Sequence, residues 1–354
     1  MLLIASLGVT AVVVASGMAF AEVGSGSVNG AVQQGATLVS EPDAPKDQRA
    51  RTPAVRRDER PVQIQRGSVI RPETGPELVR ASDGRAGTGL ALAPLSGVDA
   101  PVGTTVKGQV RVAVANLPNR TSPGGFVSSL RSLTADGADF VTLNEVSGRS
   151  IDGIRAAAPG YDAYRDPTPD RSTGGSQSMN NVVMWRMDRW NMIDGGRLKV
   201  VDNDIGVHGG RRFVWDRYAT WAMLQRKDDG AIVSVLSLHM PTNPGKFPAQ
   251  PGGASMSRVE RYSRGMDVLV SSVRALAAHG PVLVGGDMNS HHSQGAWTAA
   301  AKMTAAGYRY VKDRGVMHLF FQGGVDLVSN RQIGVASDHP AIITTLDMTG
   351  VGPS

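Results

Sequence analysis

Val282-Leu283-Val284-Gly285-Gly286-Asp287-Met288-Asn289 is an apolar run that passes through two glycines into an acid and an amide. Four to eight apolar residues with no polar alternation predict a strand buried on both faces, here Pro281 to Gly286. The polar residues then stand at its carboxyl end, where loops on rigid strands build sites. The same design recurs along the chain. Gln109 to Asn116 alternates, with Val110, Val112 and Val114 on one face and Asn116 at the end. Asp139 to Glu145 (DFVTLNE) predicts a second strand ending in Glu145, and Ala231 to His239 one ending in His239. Asp326 stands between Val325 and Leu327, and Asp338-His339 precede a last strand over Ala341 to Leu346.

The elements between these ends set the fold class. Phe126, Leu130 and Leu133 fall at helical spacing, and Ser257 to His279 predicts a long amphipathic helix with Val259, Tyr262, Met266, Leu269, Val273 and Leu276 inward. Further strands are expected at Asn181 to Arg186, Arg197 to Val201 and Val325 to Ser329. Tyr218 to Gln225 pairs with Ala231 to His239 through Lys227-Asp228-Asp229-Gly230, a hairpin signal. Many strands with few helices predict an α+β, four-layer α/β sandwich: two mainly antiparallel sheets face to face, flanked by helices.

Asn116, Glu145, Leu238-His239-Met240-Pro241, Gly286-Asp287-Met288-Asn289, Val325-Asp326-Leu327 and Ser337-Asp338-His339, in that order, resemble the motifs of the endonuclease/exonuclease/phosphatase superfamily. That group includes pancreatic-type deoxyribonucleases, abasic-site endonucleases, inositol-polyphosphate phosphatases and bacterial sphingomyelinases. The resemblance spans about residues 109 to 348, and its most specific parts are GDxN and the terminal SDH. It implies a two-sheet sandwich with the active site at one edge and a divalent metal, usually Mg²⁺. The chemistry asks for the same residue types. Phosphodiester hydrolysis needs positive charge against the phosphate oxygens, and oxygen ligands suit Mg²⁺ or Mn²⁺.

On this reading Glu145 is the first metal ligand, with Asn116 beside it and Asp338 contributing. Asp287 orients or deprotonates the attacking water, and the Asn289 amide holds a phosphate oxygen or that water. His339 is a general base or charge stabiliser, fixed by Asp326, and His239 donates to the scissile phosphate. Asp287 and His339 both stand as candidates to take the proton. Asn181 and Arg217 are expected on the substrate phosphate, and no carboxylate aligns for the task of orienting His239. His291-His292 read as exposed loop histidines rather than a second metal site, and Trp215 as mostly core, with base stacking as an alternative.

The remaining sequence bounds the setting. Leu2 to Ala21 is uncharged and apolar and ends in Ala19-Phe20-Ala21 before Glu22, which predicts a cleaved export signal over residues 1–21, or else a membrane anchor. Residues 22–105 lack hydrophobic periodicity and read as a disordered Pro/Arg/Gly-rich tether. Its ten basic and ten acidic residues cancel, so the net charge of +6 belongs to the catalytic domain, 106–354. With no cysteine among 354 residues, disulfides, a thiol nucleophile and thiolate-held metals are excluded. A secreted, monomeric nuclease with nucleic acid as substrate and no obligate protein partner is the expected protein. A lipid phosphodiesterase ranks second, since aromatic residues make up 5% and only Phe320-Phe321 offers a clustered aromatic pair for a bilayer. A phosphomonoesterase ranks third, and a binding module without activity is the non-enzymatic alternative.

Overall fold

A computed structural model describes Leu95 and residues 98–166, 180–208, 211–253 and 255–354. The segments assigned to the export signal and most of the tether lie outside these residues. Among the described residues, no helix is long and apolar enough to cross a membrane.

The strands arrange as two six-stranded sheets. In the first, β1 (Gln109–Asn116) and β2 (Phe140–Asn144) form the single parallel pair. Antiparallel neighbours extend it: β4 (Val182–Arg186) and β3 (Tyr161–Tyr164) on one side, β12 (Ala341–Asp347) and β11 (Asp326–Ile333) on the other. In the second, β7 (Ile232–His239) and β8 (Val282–Asp287) are the parallel pair. Its neighbours are the long hairpin β5 (Trp190–His208) and β6 (Arg211–Arg226), and β10 (Met317–Gln322) with β9 (Tyr308–Lys312). Each parallel pair ends in a registered polar couple, Asn116 opposite Asn144 and His239 opposite Asp287.

Alternation along the strands creates the layers. Val110, Val112, Val114 and Phe140 of the first sheet pack on Val233, Val235, Leu283 and Leu319 of the second. Outside the first sheet, α1 (Pro123–Thr134) and α2 (Ile151–Ala157) cover Ala113, Val141 and Ile343 through Phe126, Leu130 and Ile154. Ser122 caps α1 by accepting from Gly125 N–H, and Pro123 opens it, where the lost donor costs nothing. Outside the second sheet, α3 (Arg258–Ala277) and α4 (Ala299–Ala305) lie on Leu236, Leu238, Val282 and Val284. A reciprocal Ser257–Glu260 capping box starts α3. The result is the four-layer sandwich.

The two glycines of β8 let it be approached closely, Gly285 by the facing sheet and Gly286 by the neighbouring strand. A Cβ on Gly285 would stand 2.5 Å from Thr142 Oγ1 of the facing sheet, and one on Gly286 1.8 Å from the Leu238 carbonyl of β7. Packing begins earlier than Val106: Leu95, Val98 and Ala100 lie against the α3 layer, and Leu95 N–H donates to Ser272 Oγ. The strand expected at Arg197 to Val201 is one stretch of the 19-residue β5. Phe320 and Phe321, weighed above as an aromatic pair for a bilayer, are core residues of β10 at 0% and 1% exposure.

Candidate active site

The carboxyl ends of the two parallel pairs meet at one edge of the sandwich. Asn116, 1% exposed, donates through Nδ2 to Glu145 Oε1 (2.9 Å) and Asp287 Oδ2 (3.2 Å), linking one sheet to the other. Asp287, 2% exposed, carries the centre of the cluster: its Oδ2 lies 3.7 Å from Nε2 of His239 and 3.7 Å from Nε2 of His339. Its Oδ1 accepts from Asn289 N–H (2.9 Å), and Asn289 Nδ2 donates to the Met240 carbonyl (3.0 Å). Tyr262 of α3 clamps this loop, donating to the Met288 carbonyl (2.6 Å) with Ser290 Oγ at 2.8 Å. Glu145 and Asn289 both hold positive φ, 60° and 48°. Such backbone is costly for residues with a side chain and is kept where surrounding structure over-determines it, as at functional sites.

Burial sets the charge states. His239 is held well below the usual imidazole range, first by burial and then by electrostatic interaction with Arg217 and His339. Asn180 Nδ2 stands 3.1 Å from His239 Nδ1. An amide nitrogen only donates, so Nδ1 accepts and the neutral ring keeps its proton on Nε2, facing Asp287. Burial pushes the Asp287 carboxyl up; His339, the Asn289 N–H and the Asn116 amide pull it down, and the rise wins.

The two shifts have opposite linkage. A depressed histidine contributes stability that is full above its unfolded value of 6.5 and is lost as the unfolded chain takes up the proton below it. A raised carboxyl favours the folded state most at low pH and loses that contribution as the pH climbs through its folded pKa. Chemical denaturation of wild type and His239→Gln isolates the first. The stability of wild type relative to the variant is expected to fall by on the order of 1 kcal/mol between about pH 7.5 and about pH 5.5. A difference that stays constant or grows contradicts a buried neutral His239.

Six of the expected residues, Asn116, Glu145, His239, Asp287, Asn289 and His339, therefore converge. Asp338 stands at the rim, 61% exposed, with its carboxylate 3.6 Å from Arg120. Three others do not converge. Asp326 begins β11 opposite Asp347, whose other partner is Gln109, at the far end of the sheet from Asn116. It pairs there with Arg309 (3.7 Å), so it cannot fix His339. Asn181 accepts from Asn144 Nδ2 (2.7 Å) and donates to the Tyr218 carbonyl (2.6 Å), which commits its amide to the scaffold rather than to a phosphate. Arg217 is 5% exposed and directs Nε and Nη2 at Asp204 Oδ2 (3.0 and 2.9 Å). Trp215 Nε1 donates to the same oxygen (2.9 Å), which places this ring in a polar network instead of under a base. His291 and His292 are exposed.

Sequence reasoning passed over three supports. Asn144, beside Glu145, accepts the Asp287 N–H at 2.9 Å and donates to Ser237 Oγ at 3.2 Å. Asn180 meets His239 Nδ1, and Tyr262, which the sequence marks as an inward-facing helix residue, also holds the loop after β8. The signal for Asn144 was an amide at the end of an otherwise apolar strand.

Among the described residues, no three histidines or carboxylates gather closely enough to enclose a metal. Mg²⁺ asks for less, since it keeps several waters and takes one or two carboxylates. Asn116 Oδ1 is buried without a hydrogen-bond partner, next to the Glu145 carboxylate. An orphaned amide oxygen beside a carboxylate is a hard-oxygen donor pair, so the residues fit such an ion.

The model of the Endonuclease/Exonuclease/phosphatase family matches residues 113–307, which include all of these positions except His339 and the rim. The chain belongs to this family. Solved structures of similar fold include the endonuclease/exonuclease/phosphatase from Bacteroides vulgatus, at 15% identity and a TM-score of 0.51, covering 68% of this chain and 100% of that one. A functionally unknown conserved protein from Enterococcus faecalis shares 10% identity with a TM-score of 0.50, covering 67% and 99%. The human Nocturnin catalytic domain with bound sulfate shares 13% with a TM-score of 0.49, covering 69% and 95%. At these identities the likeness is one of fold. No curated protein matches the sequence. Family members are typically hydrolases of phosphoester bonds and generally depend on divalent metals.

Proposed function

We propose that this chain is an exported, divalent-metal-dependent phosphodiesterase, an endonuclease that hydrolyses nucleic acid by attack of an activated water. The observation that carries the reading is the Asp287 carboxylate oxygen lying 3.7 Å from both His239 Nε2 and His339 Nε2, above the ends of both sheets. Two imidazoles bracketing one buried carboxylate can hold a phosphate between them while the carboxylate faces a water. Neutral His239 donates its Nε2 proton to a phosphate oxygen. Asp287, its affinity for a proton raised by burial, orients the water and accepts its proton. His339 supplies or receives charge at the same phosphate, and Asn289 is tied to Met240 so that the loop keeps its shape. Glu145 and Asn116 would hold Mg²⁺ or Mn²⁺, which when bound offsets negative charge on the phosphate oxygens.

The excess positive charge of the catalytic domain favours a polyanion, and Phe320 and Phe321 being core removes the aromatic pair that a bilayer-entering enzyme would use. We place the protein outside the cytoplasm, released or tethered through Leu2 to Ala21, acting as a monomer without an obligate protein partner.

The full chain incubated with supercoiled plasmid, RNA and sphingomyelin vesicles, with Mg²⁺, tests the substrate class. Nicking and linearisation of plasmid, with sphingomyelin intact, is the expected result. Cleavage of sphingomyelin with inert DNA and RNA would reverse the assignment, and tight DNA binding with no cleavage of any substrate would make the chain a binding module.

A further inference from the structure

The loops at the carboxyl end of the first sheet carry a cation that the chemistry above does not use. Arg120 lies in the β1–α1 loop, four residues beyond Asn116, with 75% of its side chain exposed. Its Nη2 stands 3.6 Å from Asp338 Oδ2, on the residue preceding His339. The loop under it is braced. Asn119 Nδ2 donates to Ser147 Oγ (2.8 Å) and Asn119 Oδ1 accepts from Gly148 N–H (2.8 Å). Thr121 Oγ1 donates to the Ala336 carbonyl (2.9 Å). Arg149 donates to the Thr121 carbonyl, with its guanidinium 4.8 Å over the Phe126 ring. The three loops that carry Asn116, Glu145 and His339 are thus laced together, and Arg120 projects from them against Asp338, the residue before His339.

An ion pair this exposed is weakly held, because water and salt screen both partners and two mobile side chains must be fixed. A guanidinium exchanges such a carboxylate readily for a phosphate, which matches its planar fork. Arg217, the arginine that the sequence favoured for this task, is enclosed and occupied by Asp204.

We propose that Arg120 grips a phosphate flanking the scissile one, so that a nucleic-acid strand lies across the first-sheet loops rather than along the β5–β6 hairpin. The proposal rests on the phosphodiesterase reading above and names the substrate contact of that site. Phosphates bound away from the reacting one fix register without entering the chemistry, and each displaced counterion adds to the salt dependence of binding.

The test is fluorescence anisotropy of a labelled single-stranded DNA oligonucleotide with the full chain in chelator, between about 50 and about 200 mM salt. Arg120→Ala is expected to weaken binding about fivefold or more and to flatten the slope of log K against log salt by about 0.7, the single-strand value for one phosphate contact. Arg120→Lys keeps the slope, and Arg309→Ala, at the far end of the sandwich, changes neither quantity. With Mg²⁺ added, Arg120→Ala raises KM for the oligonucleotide but leaves hydrolysis of bis(p-nitrophenyl) phosphate, which has no flanking phosphate, at the wild-type rate. An unchanged slope in Arg120→Ala, an equal loss in Arg309→Ala, or an Arg120 dependence confined to anionic phospholipid vesicles would each overturn the proposal. A wild type that cleaves neither diester but shows the Arg120-dependent slope overturns the hydrolytic reading and leaves this contact standing.

Discussion

Asp287→Asn is expected to lower the rate of phosphodiester hydrolysis by about 10³-fold, within the range for loss of a positioned acid or base. The substitution keeps the shape of the side chain and an oxygen for the Asn289 N–H, but removes the charge that orients the water and accepts its proton. Stability should change little. A carboxylate that is 2% exposed and pushed up by burial opposes folding at neutral pH. Its neutral replacement removes that opposition but turns an amide nitrogen toward the Asn116 Nδ2 and His239 Nε2 donors, so the Tm of the metal-free protein is expected to stay within roughly 4 °C of wild type, about 1 kcal/mol for a domain of this size. Thermal unfolding in chelator and steady-state kinetics in Mg²⁺ read the two effects separately. A variant that loses activity and Tm together would mean that Asp287 serves the fold instead of the reaction.

Gly286→Ala carries the second large effect, and it acts through the backbone. Gly286 has φ 154°, and a Cβ there would stand 1.8 Å from the carbonyl oxygen of Leu238. No rotamer relieves a clash between two backbones, so β7 and β8 must separate at the point where they bring His239 and Asp287 together. The expected cost is about 3 kcal/mol, at the upper end for overpacking, and a fall in Tm of roughly 6–12 °C. Activity should fall with it because the cluster spans the separated strands. A soluble Gly286→Ala protein with wild-type Tm would show that the parallel pair is not built as described.

These two positions also mark what the sequence makes legible. Asp287 and Asn289 stand out because an acid and an amide interrupt an apolar run at its carboxyl end. Asn116, Glu145 and His239 share that position on their strands, so five of the six converging residues follow from strand ends alone. His339 follows from its place in the SDH motif. Asp326 has the same local look, an acid between Val325 and Leu327, yet it starts β11, which is antiparallel to β12 and so runs in the direction of β1, beginning at the opposite edge. Which edge a strand end occupies depends on topology, which composition and alternation do not encode.

Asn181 is the amide the sequence singles out, but it is its neighbour Asn180, in the bend before β4, that meets His239. For Arg217 the deciding partner is Asp204, across a long hairpin whose register shifts between Lys199 and Val201 and again between Val201 and Asp204. Alternation cannot count such bulges. The elements not read at all are α2, β3, α4, β9 and β10, and the two helices have seven residues each, too few for a helical period to emerge.

On the proposed function, one cluster, Asn116, Glu145, His239, Asp287, Asn289 and His339, cleaves phosphodiesters with the help of a divalent ion. Relaxation of supercoiled plasmid by the purified full chain puts this to trial, with wild type and His339→Ala compared in Mg²⁺ and in chelator. Wild type is expected to nick in Mg²⁺, with nicking lost in chelator and lowered about 10²-fold or more by His339→Ala. Nicking that survives both chelation and His339→Ala would rule out this site.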